Sequence, residues 1–185
     1  RIDVLVNNVG VGDPRTAGFL KVGDEAWQRT FNLNLMSAVR ASRAALPYLI
    51  ERGGNIVNVS SLNARLPQPP VVDYAASKAA MTSLSKALSE EFGPLGVRVN
   101  AISPGPVRTP FWEKEGGFAH QLAQATGGEV AAVLEALPEQ AGITLGRFAE
   151  AGEIASLVVF LASNERAGII TGSEFVIDGG MGKTT

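Results

Sequence analysis

Asp73-Tyr74-Ala75-Ala76-Ser77-Lys78 is the stretch from which the rest of the chain is read. After Pro70 the good helix formers Ala75, Ala76, Ala79, Ala80, Leu84 and Leu88 predict a helix. Residues four apart share a helix face, so the Tyr74 phenol and the Lys78 ammonium can meet. A free phenol titrates near about 10, too high for a base at neutral pH. Bringing it to about 7 needs roughly 4 kcal/mol of preference for phenolate. An ammonium about 4 Å away supplies roughly that much at an effective dielectric of about 20, before desolvation takes some back. The spacing therefore predicts a phenol made more acidic by Lys78. Chance also places Y-x-x-x-K on helices, so the meaning rests on the surroundings.

Working upstream, Asn55-Ile56-Val57-Asn58-Val59 reads as a strand entered from Gly53-Gly54 and ended by Ser60-Ser61. Taken alone, those serines are ordinary strand-end hydroxyls. The stretch from Leu62 to Pro70 is Pro-rich and reads as surface loop. A helix runs from about Asp24, as its cap, to about Leu49, with Trp27, Phe31 and Leu35 on its apolar face. Asn34 sits inside it, where an Asn is a poor choice unless a hydrogen bond offsets the cost. Ile2 to Val6 is a short buried strand, and Asn7-Asn8-Val9-Gly10-Val11-Gly12 is the turn that ends it. A dinucleotide fingerprint G-x-G-x-x-G fails there, because position 15 is Arg15. The chain starts at Arg1 and enters a strand at once, so we expect the N-terminal part of a larger domain to lie outside this sequence.

Downstream, Phe92-Gly93-Pro94 stops the Tyr74 helix, and Val97 to Ile102 forms the third strand, ended by Ser103-Pro104-Gly105-Pro106. Residues Val107 to Phe148 are the least regular part, with short helices near Phe118–Ala125 and Glu129–Leu137. A long aromatic-containing excursion after a strand end suits a substrate lid, and equally an ordinary surface insertion. His120 on its own reads as solvated. Ala151 to Ala162 is a helix, and Ser173 to Asp178 a fourth strand. Strands alternating with helices predict an α/β fold, a doubly wound parallel sheet in three α/β/α layers.

Composition narrows the function classes. The chain has 185 residues, 45% hydrophobic and 18% charged, with net charge -2, one His and no Cys. That is one domain, 1–185, with a real core, and 107–148 as the candidate lid within it. Disulfides, thiolate chemistry and His- or Cys-based metal sites are excluded. Nothing suggests a nucleic-acid surface, a signal peptide or a membrane span, so a cytoplasmic enzyme or binding protein is expected.

The C-terminal Asp178-Gly179-Gly180-Met181-Gly182-Lys183-Thr184-Thr185 looks like the G-G-x-G-K-T-T phosphate loop of ATPases with a variant Walker A motif. Those ATPases carry a Lys before the glycines, where this chain has Asp178. A phosphate loop also feeds a helix N-terminus, for which no chain follows Thr185 in this sequence. The P-loop ATPase is therefore a remote alternative.

In order and on the proper elements, the motifs resemble the short-chain dehydrogenase/reductase family. Asn7-Asn8-Val9-Gly10 resembles its N-N-A-G turn, with Val9 for Ala. Asn34 resembles its catalytic Asn, Ser61 its catalytic Ser, and Tyr74 and Lys78 its Y-x-x-x-K. Pro104-Gly105 and Thr109 match P-G-x-x-x-T, and Leu145-Gly146-Arg147-Phe148, Phe160-Leu161-Ala162-Ser163, Thr171-Gly172 and Asp178-Gly179-Gly180 match the C-terminal pattern.

The resemblance implies a Rossmann-like fold with strand order 3-2-1-4-5-6-7, these strands being the fourth to seventh and the first three strand–helix units having no counterpart. It implies an oxidoreductase that moves hydride between NAD or NADP and a carbonyl or secondary alcohol. Tyr74 would be the general acid or base, Lys78 would lower its pKa and hold the ribose, and Ser61 would donate to the substrate oxygen. Asn34 would hold a water. Asn8, Val9, Gly10, Pro104, Gly105, Val107 and Thr109 would line the cofactor with Tyr74 and Lys78. The substrate would be a small molecule, and the protein a homo-oligomer, dimer or tetramer. The first strand would be an exposed edge. Without the glycine-rich turn the polypeptide is expected to bind dinucleotide poorly, and NAD cannot be told from NADP. The alternative is a non-catalytic remnant of the fold, acting as an interaction module.

Overall fold

A computed structural model describes residues 1–183 of the chain. Four strands form one parallel sheet: β1 (Val4–Asn7), β2 (Asn55–Val59), β3 (Arg98–Pro104) and β6 (Glu174–Ile177), in the order β1-β2-β3-β6. The register sets Asn7 beside Asn58, Asn58 beside Ala101, and Ala101 beside Glu174. Two further two-residue strands, β4 (Val107–Arg108) and β5 (Ala149–Glu150), pair with each other at the foot of the irregular region. The sequence gives no sign of that pair, since two residues carry no periodicity.

Strand side chains alternate between faces, and the core divides accordingly. Ile56 and Val99 point to one side, against Ala45, Leu46 and Leu49 of helix α2 (Ser37–Ile50) and Leu88 and Phe92 of helix α3 (Val72–Phe92). Val57 and Ile102 point to the other, against Ile154, Leu157 and Leu161 of helix α7 (Ala151–Ala162). The result is the expected doubly wound three-layer sheet, with a helical layer on each face. β1 is the edge strand, and its Val4 and Val6 are exposed.

Helix α1 (Asp24–Phe31) runs into α2 through a π-helical segment, Asn32–Met36. The continuous helix expected over these residues is present, but its centre is widened by the wider i→i+5 turn. Gly23, not Asp24, is the N-cap; Asp24 lies in the first turn, where its charge favours the helix N-terminus. The irregular region holds α4 (Pro110–Glu113), α5 (Phe118–Thr126) and α6 (Val130–Gln140), so the two expected helices are both there. The short helix α8 (Asn164–Ala167) follows α7.

Leu49 is fully buried between α2 and β2, whereas Leu20 is almost wholly exposed. Leu49→Ala is expected to lower stability by about 2–5 kcal/mol and Leu20→Ala by less than about 0.5 kcal/mol. Urea unfolding of both variants checks the assignment of the core.

Candidate active site

In an open parallel sheet, ligands sit beyond the carboxyl ends of the strands. At that edge the structure has a cavity of about 640 Å³. Asn8 and Gly10 follow β1, Ser61 follows β2, and Pro104 and Gly105 close β3. Tyr74 and Lys78 enter from α3, with Val107, Thr109, Phe111, Trp112 and Phe118 from the irregular region. Three of the four expected catalytic residues, Ser61, Tyr74 and Lys78, thus line one cavity. So do all the expected cofactor-lining residues except Val9, which is 59% exposed and outside the lining.

The two serines at the end of β2 separate cleanly. The Ser60 hydroxyl donates to the Lys78 carbonyl at 2.9 Å and lies 3.0 Å from the Thr82 hydroxyl, fastening α3 to the strand end. The Ser61 oxygen accepts from the Asn63 N–H at 3.2 Å and faces the cavity. Ser60 is therefore structural, and Ser61 is the hydroxyl available to a ligand.

Lys78 is 3% exposed. Its ammonium donates to the Val59 carbonyl at 2.7 Å and lies 5.7 Å from the centre of the Tyr74 ring. Burial without a carboxylate pulls its pKa down from 10.5 to about 8. Burial pushes the Tyr74 phenol up from its ordinary value, and the Ser61 hydroxyl, able to donate to the phenolate, pulls only partly the other way. This corrects the expectation that Lys78 acidifies the phenol. The ammonium is turned to a backbone carbonyl, and the loss of water around the ring outweighs everything else acting on it.

Asn34 is fully buried behind the cavity and does not line it. Its Oδ1 accepts from the Val11 N–H at 2.8 Å, and its Nδ2 donates to the Val11 carbonyl at 2.9 Å and the Ser77 hydroxyl at 2.9 Å. Ser77 in turn donates to the Tyr74 carbonyl at 2.7 Å. The side-chain amide joins the turn after β1 to the Tyr74 helix. These bonds offset the penalty of an Asn within a helix.

The loop from Leu62 to Pro70, expected at the surface, is partly cavity wall: Leu62, Asn63, Leu66 and Gln68 line it, as does Val71 beyond the loop. Its apolar residues Leu62 and Leu66 were the available signal. Leu122, Leu137, Gln140 and Ala141 line it from within the candidate lid, and Gly12 and Met181 join them with no signal in the sequence. A Cβ at Gly105 would come within 2.9 Å of the Asp178 Cα, so only glycine lets the β3 end pass the last turn. His120 lies outside the lining, its Nδ1 accepting from the Gly116 N–H at 3.4 Å.

The C-terminal glycines do not form an open phosphate cradle among the described residues. The Asp178 carboxylate accepts from the Gly180 N–H at 2.9 Å and the Gly182 N–H at 2.7 Å, filling the turn from within. Lys183 donates to the Gly142 carbonyl at 2.8 Å and the Thr144 hydroxyl at 3.0 Å. Thr184 and Thr185 lie outside the described residues. Among the described residues no group of acidic, His or Cys side chains could hold a metal, and no helix is long and apolar enough to cross a membrane.

A doubly wound parallel sheet with a cavity at its carboxyl edge, lined by Tyr74, Lys78 and Ser61, defines a Rossmann-like α/β protein. More particularly, the chain belongs to the short-chain dehydrogenase/reductase family. The family model described as enoyl-(acyl carrier protein) reductase matches residues 1–182. The chain is 37% identical over 182 residues to the 3-oxoacyl-(acyl-carrier-protein) reductase FabG of Thermotoga maritima, covering 98% of this chain and 66% of that protein. It is 36% identical over 180 residues to the L-fucose dehydrogenase of Bos taurus, covering 97% of this chain and 62% of that protein. The chain thus spans less than two thirds of the length of these relatives. Among solved structures it is similar to the L-sorbose reductase of Gluconobacter frateurii complexed with NADPH and L-sorbose. There the TM-score is 0.89 and the identity 37%, covering 99% of this chain and 67% of that one.

The depressed Lys78 pKa has a consequence for stability. The amine titrates near 10.5 when exposed in the unfolded chain and near 8 in the fold. Between these values the unfolded state binds more protons, so the buried ammonium destabilises the fold below about pH 8, and the penalty fades as pH rises toward 10.5. Lys78→Met is expected to stabilise the chain by roughly 1–3 kcal/mol at neutral pH, with the gain vanishing above about pH 10. Thermal unfolding across pH checks this; a Tm difference independent of pH contradicts it.

Proposed function

We propose that this chain carries the reacting part of an NAD(P)-dependent oxidoreductase that interconverts a carbonyl and a secondary alcohol. What supports the reading above all is that Tyr74, Lys78 and Ser61 line one cavity together with Asn8, Gly10, Pro104 and Gly105. The cofactor fits the residues present. At Gly10 a Cβ would come within 3.3 Å of the Lys78 Nζ, so the bare glycine leaves the ammonium approachable from the cavity. Lys78, Asn8, Gly10, Pro104, Gly105, Val107 and Thr109 would hold the nicotinamide end, which when bound supplies or accepts the hydride.

The chain's own residues supply the proton. With its pKa above the ordinary value, the Tyr74 phenol is protonated at neutral pH and is set as the acid for carbonyl reduction. Its proton passes to the carbonyl oxygen as the carbon accepts hydride, and the Ser61 hydroxyl donates to the same developing alkoxide. Lys78, titrating near 8, stays mostly protonated at pH 7 and keeps a positive charge at the cavity wall beside Gly10. In the oxidative direction the phenolate is the base, so that direction is favoured by higher pH. The four aromatic rings of the irregular region pack on one another, Trp112 on Phe118 at 4.9 Å and on Phe148 at 5.3 Å. Phe111, Trp112, Phe118 and Leu122 face the cavity, so residues 107–148 act as the substrate lid over an apolar body. The working protein is a homo-oligomer on this reading.

The test is NAD(P)H consumption by the protein at its full natural length, with a panel of ketones. The panel includes ketose sugars, because relatives are named for L-sorbose and L-fucose. Tyr74→Phe is expected to lower turnover by about 10²–10⁴-fold with cofactor binding nearly unchanged. Reduction is expected to fall as pH rises through about 8, where Lys78 loses its charge. Near-normal turnover in Tyr74→Phe refutes the assigned role. Neither binding nor turnover of NAD(P)H favours the interaction module instead.

A further inference from the structure

Arg15 is the residue that breaks the glycine fingerprint, and its side chain is the busiest in the turn after β1. Its guanidinium forms an ion pair with Asp73, with the Nε 3.2 Å from each carboxylate oxygen. Asp73 is 1% exposed and also accepts from the Thr30 hydroxyl at 2.8 Å. The Arg15 backbone N–H donates to the Pro70 carbonyl at 2.6 Å, just before α3 begins. Burial alone would raise the Asp73 carboxyl, but the hydrogen bonds from Arg15 and Thr30 outweigh it and hold it below its usual value.

The pair stands at one end of a short strap. At the other end Asn34 holds both backbone groups of Val11. Between them the chain passes over Tyr74. A Cβ built on Gly12 would lie 3.2 Å from the Tyr74 Cδ2 and 3.5 Å from the Phe111 Cζ. The backbone of the strap is therefore the lid on one face of the phenol, and Arg15 fastens it to the residue immediately before the phenol in sequence. On the surface Asp13 pairs with Arg29 at 2.7 Å, which holds the outer side of the same strap.

We propose that Arg15 and Asp73 form a positioning clamp for Tyr74, holding the Gly12 strap against its ring so that the phenol keeps one orientation and one face of the ring stays covered. Neither touches substrate or cofactor; both act through the strap and the first turn of α3. The proposal rests on Tyr74 being the working acid, and it adds the two residues that fix its geometry. A fold-only staple would use the same contacts, so the test has to read the phenol itself.

The chain contains two tyrosines, so a Tyr48→Phe background leaves Tyr74 as the sole phenol. Its titration is followed by the near-ultraviolet absorbance of phenolate. Burial pushes the Tyr74 pKa up, and the Ser61 hydroxyl pulls it partly back. Wetting the ring therefore has one sign, downward. The double variant Arg15→Met/Asp73→Leu removes both charges together and leaves no unpaired buried ion. It is expected to bring the Tyr74 midpoint down by at least about half a pH unit, toward the ordinary phenol value. Its kcat is expected to fall about tenfold or more, with KM for ketone little changed, since geometry rather than binding is lost. A folded double variant whose midpoint matches the parent overturns the proposal.

Should the double variant not fold, Arg15→Lys keeps the charge and loses the planar fork. It is expected to move the midpoint in the same direction by a smaller amount, and an unmoved midpoint there also overturns the clamp. The phenol titration needs no turnover. Absence of any ketone reduction by the parent chain would therefore sink the oxidoreductase reading while the titration still decides the clamp.

Discussion

A lysine ammonium held out of water beneath a strand-end carbonyl is the constraint around which this edge of the sheet is arranged. The Lys78–Val59 bond at 2.7 Å gives the buried charge a dipole rather than a counter-ion. That is a weak substitute, and it shows in a pKa drawn down to about 8. The surrounding contacts make the arrangement tolerable. Ser60 fixes the backbone one turn of α3 to the strand beside it, and the Gly10 backbone packs close without side-chain bulk. A Met or Leu there would carry no such burial penalty.

The same logic runs along the whole contact between α3 and the sheet. The buried residues of α3 include Asp73, Ser77, Lys78, Ser85 and Ser89 beside Ala75 and Met81. Its inward face is as polar as its outward one, so it docks by hydrogen bonds. Asn58 donates to the Ser85 hydroxyl at 2.8 Å and accepts from Asn7 at 2.7 Å, whose amide also reaches Ser42 on α2 at 3.1 Å. Such a network is satisfied in one register only. Sliding α3 by a residue would strand several buried amides at once, which is how a helix of low amphipathicity still delivers Tyr74 and Lys78 to one place.

This also explains what could and could not be read from sequence. Strands β2 and β6 and helix α7 follow from apolar runs bounded by glycines and polar turns, and they lie where the periodicity puts them. Strands alternating with helices predict the doubly wound sheet, and the turning of Ile56 and Val57 to opposite helical layers is its physical content. The inward face of α3 was not, because apolar periodicity is silent about a face that packs through serines and asparagines. The π-helical widening around Asn34 was hidden for a similar reason: its residues are ordinary helix residues, and only the hydrogen bonds to Val11 and Ser77 account for the Asn. The direction of the Tyr74 shift was misread because spacing reports which side chains can meet. Whether the amine turns to the ring or to Val59, and how much water remains, depends on neighbours far along the chain.

The C-terminal glycines make the complementary point, that a motif is defined by what its backbone donors face. A phosphate loop works because its N–H groups converge on empty space that an anion can enter. In Asp178-Gly179-Gly180-Met181-Gly182 the same kind of turn converges on the side chain that opens it, and the carboxylate takes the Gly180 and Gly182 donors at 2.9 and 2.7 Å. A Lys at that position would leave the donors open; an Asp brings its own anion. The turn is thereby made rigid, and it packs against Gly105, where no Cβ would fit beside Asp178. One residue changes the stretch from a nucleotide cradle into the buttress of the β3 end. There it shapes the part of the cavity lining to which Pro104 and Gly105 belong.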